Sequence, residues 1–293
     1  MHLPLLLPLA AALLYAAAAL CVKIALGRGV TTLDILFYSN LVLGSIFLPL
    51  AFFGHDRWNA THVPWALLAG LLFFLGQVGT FRSLQSGDVS VATPALAAKV
   101  VFVALLSLLV PGSTPDPDLW LAVFLTMAGV LLLHRGPTTA ASRPLPTLAW
   151  ALFAAFSFAT TDIVVQVGAP KAGFNLFMPV MFGTVAGLSL PLLLLARKRR
   201  AGGVRAPGAI KWATAGVSLL GLQALGMGTT IGLFGDATGA NVIYGSRGLW
   251  SLLLLALVAH RLGIKDGVRD RSTLLLRVLG SIFILAAVSL VLF

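Results

Sequence analysis

The chain has 293 residues, 59% of them hydrophobic and only 10% charged, with a mean hydropathy of +0.99. Soluble domains carry roughly a quarter charged residues, so a soluble globular fold is excluded, and the apolar runs lack the alternation of a membrane β-barrel. The net charge of +11 comes with nine acids, all Asp; its cations gather between the apolar runs, where they set topology and meet lipid headgroups rather than nucleic acid.

Ten apolar segments are predicted as helices, most near the roughly 20 residues a bilayer crossing needs. In chain order they are 3–26, 35–53, 64–84, 89–110, 119–133, 147–167, 176–196, 212–234, 239–260 and 274–293. The first begins MHLPLLLPLA, without the basic leader of a signal peptide, and is read as a retained span. It holds the single cysteine, Cys21, so no intrachain disulfide can form, and a small buried hydrophobe is expected there. Turn residues punctuate the series: Gly54-His55-Asp56, the PGSTPDP run at 111–117, and Gly202-Gly203. The fifth segment is short and needs little tilt or some help from its flanks.

Loop charge orients the series. The loops after the odd-numbered spans, with adjacent helix ends, hold fifteen Lys and Arg, including the run Arg197-Lys198-Arg199-Arg200; the opposite face holds two, Arg57 and Lys171. The positive-inside rule makes the odd-numbered loops cytoplasmic and puts both termini outside.

An internal repeat organises the whole. Residues 87–106, GDVSVATPALAAKVVFVALL, reappear 148 positions later as GDATGANVIYGSRGLWSLLL at 235–254. Gly87 matches Gly235, Asp88 matches Asp236, Phe102 matches Trp250, and Lys99 matches Arg247. Each half then holds five spans. Five is odd, so the second half is expected to enter the membrane inverted, the plan of many secondary transporters. The expected fold is an all-α polytopic membrane protein of ten transmembrane helices in two inverted five-helix repeats. The first repeat covers 1–136, a Pro- and Ser-containing linker 137–146, and the second repeat 147–293.

Two five-helix halves, paired Gly-Asp junctions before the fourth and ninth spans, and the SRGLW segment at 246–250 resemble the drug/metabolite transporter superfamily, in its EamA-like branch. The resemblance implies a central cavity lined by spans one to four and six to nine, with spans five and ten peripheral. The chain departs from the pattern of many relatives by lacking a Glu after the fourth and ninth spans. It also has Tyr38-Ser39-Asn40 where an Arg is common in the second.

Charges inside a span are costly and point to a partner or a wet cavity. Lys99 lies roughly 15 Å along its helix at 1.5 Å per residue, and Arg247 at a similar depth. Either cation binds a substrate's negative group or locks helices together. Asp162, in ATTDIV, either carries a coupling proton or pairs with Lys99 or Arg247. Lys23 lies near the cytoplasmic end of the first span, where it can snorkel. Asn241 and Tyr244 precede Arg247 at three-residue spacing and can share its stripe, as ligand contacts or as packing glue. Gln77 and Phe81 in the third span, Asn40 in the second and Gln223 in the eighth are second-tier candidates, a lone Gln in a span being more often an interhelical hydrogen bonder than a ligand contact. Asp88 and Asp236 are expected to cap helices.

No catalytic constellation is visible: the five histidines lie at span ends or in loops, and no HExxH, Cys cluster or phosphate loop appears. The expected protein is not an enzyme and needs no cofactor or metal. It is expected to be an inner-membrane secondary transporter, an exporter of a small polar or anionic metabolite such as an amino acid, with proton coupling and a monomer or homodimer both open. The alternatives are a flippase for a lipid-linked phosphate or sugar, or a membrane scaffold or sensor.

Overall fold

A computed structural model describes residues 3–53, 60–86, 89–133, 144–199, 206–262 and 271–293. Regular structure among them is helical throughout. A short turn of 3-10 helix leads into α1 (Leu6–Gly27). Then come α2 (Thr32–Phe47), α3 (Leu50–Phe53), α4 (Val63–Ser86), α5 (Val89–Ala97), α6 (Lys99–Ser107) and α7 (Pro117–Leu133). The second half holds α8 (Pro144–Ala172), α9 (Phe174–Arg199), α10 (Ala209–Phe234), α11 (Ala237–Gly245), α12 (Arg247–Leu262) and α13 (Arg271–Leu292).

Local chemistry explains the boundaries. Thr31 and Asp34 form a reciprocal capping box that starts α2. The Asp116 carboxylate accepts from the Leu119 amide at 2.8 Å, with Pro117 as first residue of α7. Gly235, at φ +70°, ends α10 in the left-handed region a side chain would resist. Pro49, which has no amide hydrogen to give, separates α2 from α3.

Every expected apolar segment coincides with one helix or two consecutive ones. Among the described residues, seven stretches are at least 18 residues long and apolar enough to cross a membrane: α1, 32–53, α4, 145–172, 174–191, α10 and 275–292. Ala95–Ser107 and α7 are shorter apolar helices. The fourth and ninth segments, expected as continuous, are each interrupted by one residue. Ala98 has φ −56° and ψ −12°, and Ser246 has φ −64° and ψ −12°. In both the amide bonds three residues back, Ala98 to Ala95 at 3.2 Å and Ser246 to Ile243 at 3.0 Å. Each break is a single 3-10 step in an α-helical path.

The helices pack in pairs: α1 on α10, α4 on α8, α2 on α9 and α7 on α13, with α6 against α8 and α12 against α1. Phe47 stacks on Phe182 at 4.3 Å, and Phe73 meets Phe158 and Phe182 edge-on, tying α2, α4, α8 and α9 together. Where α7 crosses α13, a Cβ on Gly129 would stand 2.7 Å from the Gly280 carbonyl oxygen, and one on Gly280 2.6 Å from the Gly129 oxygen. These glycines let two backbones touch, a common device where lipid offers no hydrophobic drive for helix association. The outward surface carries bare Leu and Phe, such as Phe124 on α7 and Leu190 on α9, as a lipid-facing surface should.

Candidate functional site

The two helix breaks aim the two deep cations. Lys99 is the first residue of α6, and its Nζ lies 2.7 Å from Asp162 Oδ2 on α8. The Asn241 side-chain amide of α11 donates to the same oxygen at 2.6 Å and to the Ala237 carbonyl at 2.8 Å. One carboxylate oxygen thus answers an ammonium from the first half and an amide from the second. Phe158, one turn before Asp162, presents its ring 5.9 Å from the ammonium. The Lys99 and Asp162 side chains retain 18% and 14% of their exposure, so the pair is not sealed into the core.

Arg247, the first residue of α12, has a different environment. Its guanidinium carbon lies 4.4 Å from the centre of the Tyr244 ring and 5.4 Å from that of Tyr15 on α1. The two rings meet edge-on, 5.9 Å apart. One guanidinium N–H donates to the Tyr244 carbonyl at 3.4 Å. No carboxylate stands within ion-pair distance of Arg247 among the described residues. The Asn241-Tyr244-Arg247 stripe therefore joins two clusters: its first member holds Asp162, and its second lies against the guanidinium.

The other candidates go elsewhere. Asn40, fully buried on α2, and Gln77 on α4 bond each other reciprocally at 2.9 and 2.7 Å. This amide pair joins two helices, and each amide keeps a second N–H and a second carbonyl lone pair. Gln223 Oε1 on α10 is buried with no hydrogen-bond partner among the described residues. Phe81 is half-buried on α4, and Lys23 is exposed on α1. Asp236 caps α11 by accepting from the Gly239 amide at 2.7 Å, whereas Gly87 and Asp88 lie outside the described residues. The Trp250 indole donates to the Ser246 hydroxyl at 3.1 Å, across the second break.

Three participants escaped the sequence reading. Tyr15 carries the only polar side chain in the run AALLYAAAAL, which was the available signal. Gln166 sits one turn beyond Asp162. Its carbonyl oxygen accepts from the Ala237 amide at 3.0 Å, and its amide donates to the Ser113 hydroxyl, linking α8 to the start of α11 and to the segment after α6. Ser246 opens the SRGLW segment, but nothing in that segment signalled its place at the helix break or its bond from Trp250. No group of three or more His, Cys, Asp or Glu capable of holding a metal occurs among the described residues.

Residues 2–135 match the EamA-like transporter family, so the resemblance noted in the sequence holds over that half. An uncharacterized transporter from Archaeoglobus fulgidus is 28% identical over 167 residues. That match covers 55% of this chain and 55% of the relative, little more than half its length. A solved crystal structure superposes with a TM-score of 0.72 over 98% of this chain and 95% of its own, at 15% identity, a likeness of fold alone.

Proposed function

With an EamA-like transporter segment as its first half, we propose that this chain is a secondary-active transporter that moves a small polar or anionic metabolite, such as an amino acid, outward across the inner membrane. Ten spans form two inverted five-helix repeats, 1–136 and 147–293, joined by 137–146, and substrate crosses by alternating access near the midplane. Both termini face away from the cytoplasm.

The observation that carries this reading is the paired cation at matched helix breaks. Discontinuous helices at the midplane are how inverted-repeat transporters build a site for ions and polar groups. α5 and α11 are both nine residues long and begin 148 positions apart, and the residue after each break is Lys99 or Arg247. Helix packing supports the two-fold plan. Exchanging α1 with α8, α2 with α9, α4 with α10, α6 with α12 and α7 with α13 turns the α1–α10 pair into the α8–α4 pair. The same exchange turns α6–α8 into α12–α1 and leaves α2–α9 and α7–α13 as they are. Lys99 and Arg247 supply positive charge to the substrate path, Asn241 and Tyr244 shape it, and Asp162 modulates the charge of Lys99 or exchanges a proton there.

A second reading, that the charges only lock the bundle, is favoured by one contact, the Lys99–Asp162 pair. The two readings separate on Lys99→Met and Arg247→Met in proteoliposomes preloaded with a panel of amino acids, organic acids and sugar phosphates. A transporter loses counterflow while the variants stay folded; a lock loses thermal stability. Normal flux in both variants sinks the assignment of these cations to the substrate path.

A further inference from the structure

Lys99 and Arg247 occupy equivalent places in the two halves, yet their charge is handled differently. Lys99 is already neutralised: Asp162 stands at salt-bridge distance, and Asn241 fixes the same carboxylate oxygen. Arg247 is not. Its neighbours are two tyrosine rings and one backbone carbonyl, with no carboxylate among the described residues. The three deep charges therefore sum to one uncompensated positive charge, located on Arg247.

We propose that Arg247 is the substrate-reading cation and that the site takes an organic monoanion, specifically a monocarboxylate without a free amine. This rests on the transporter reading above and narrows its polar or anionic class to one that leaves out the amino acid offered there as an example. Tyrosine faces attract a guanidinium but return only part of its lost hydration, so the charge stays unsatisfied until an anion arrives. The guanidinium spends one N–H on the Tyr244 carbonyl at 3.4 Å, and a planar guanidinium with N–H donors to spare grips a carboxylate through two parallel bonds. A dicarboxylate brings one charge more than Arg247 can answer. A zwitterion brings an ammonium that needs its own carboxylate, and Asp162, the acid of this cluster, is held by Lys99 and Asn241. Lys99 and Arg247 thus divide the labour: the first keeps an internal counter-ion, and the second borrows one from the substrate.

The test uses the purified full-length protein in nanodiscs and four ligands of matched chain length: butyrate, succinate, 2-aminobutyrate and butylamine. Binding is read by calorimetry and by thermal shift. Butyrate is expected to bind best. Its affinity should fall at least tenfold in Arg247→Gln and by a smaller factor in Arg247→Lys, which keeps the charge but loses the planar fork. The lysine variant also guards against a misfolded glutamine variant. Tighter binding of succinate or 2-aminobutyrate than of butyrate overturns the proposal. So does unchanged butyrate affinity in Arg247→Gln, or no butyrate binding to the wild-type protein. Proteoliposome uptake of the same ligands separates the two claims. Flux of 2-aminobutyrate without butyrate leaves a transporter and removes the monocarboxylate assignment. Butyrate binding without flux of any ligand leaves the anion site and removes transport.

Discussion

Asp162→Asn isolates the value of the Lys99–Asp162 pair. The substitution keeps shape, and the new amide oxygen can still accept from Asn241, but Lys99 loses its counter-charge inside a span. At 2.7 Å the gross attraction is about 6 kcal/mol with an effective dielectric near 20. Desolvation of two ions takes back several kcal/mol. The 18% and 14% residual exposure of the two side chains trims the remainder further. Removing one partner of a buried pair costs about 3–5 kcal/mol, so the lower end, about 3 kcal/mol, is expected for Asp162→Asn and for Lys99→Met alone. The double variant leaves no orphan charge and should lose about 3 kcal/mol rather than 6, a coupling energy of about 3 kcal/mol. Unfolding of all four proteins in mixed micelles with rising dodecyl sulfate measures the cycle. Losses that add within about 0.5 kcal/mol would mean that the two groups do not depend on each other, and the charge bookkeeping behind Arg247 would fall with them.

Three further outcomes follow from the geometry. Gly129→Ala should cost about 1–3 kcal/mol of bundle stability by the same unfolding assay, because its methyl would press on the Gly280 carbonyl and force α7 off α13. Asn40→Leu or Gln77→Leu alone should cost about 1–3 kcal/mol by orphaning a buried amide. The double Leu variant should recover most of that, since each amide is the other's partner and neither is left orphaned. Gln166→Leu should speed hydrogen exchange at the Ala237 amide, which loses its acceptor; unchanged exchange there would mean the bridge to α11 is not maintained.

Much of this architecture is legible in one dimension because lipid makes it so. A helix that must satisfy its own backbone in hydrocarbon announces itself by a long apolar run, and the helices lie where those runs lie. The repeated segment stands out in the sequence because a charge inside an apolar stretch is rare enough to be noticed twice. The partition of charge was not. Asp162 had two candidate cations and no sequence rule to choose between them; the choice came from tertiary packing, which sets α6 against α8 and carries Asn241 to the same oxygen. An interhelical bond was the readier expectation for a lone Gln in a span, but sequence could not name Asn40 as the partner of Gln77, because the two residues lie on different helices. The helix breaks were equally invisible. Neither Ala98 nor Ser246 is a helix breaker by propensity, and no glycine or proline occupies either place.

Those breaks bear on why the cations stand where they do. Lys99 and Arg247 directly follow the two 3-10 steps, within apolar stretches where an unpartnered charge is costly. Twice, at matched positions of the repeated segment, this chain places a cation there. At Lys99 the conflict is relieved from within by Asp162. At Arg247 the described residues offer only aromatic faces, which soften the charge without cancelling it. A placement that local stability opposes in both halves, relieved in one and left open in the other, is what a site that takes its counter-ion from outside requires.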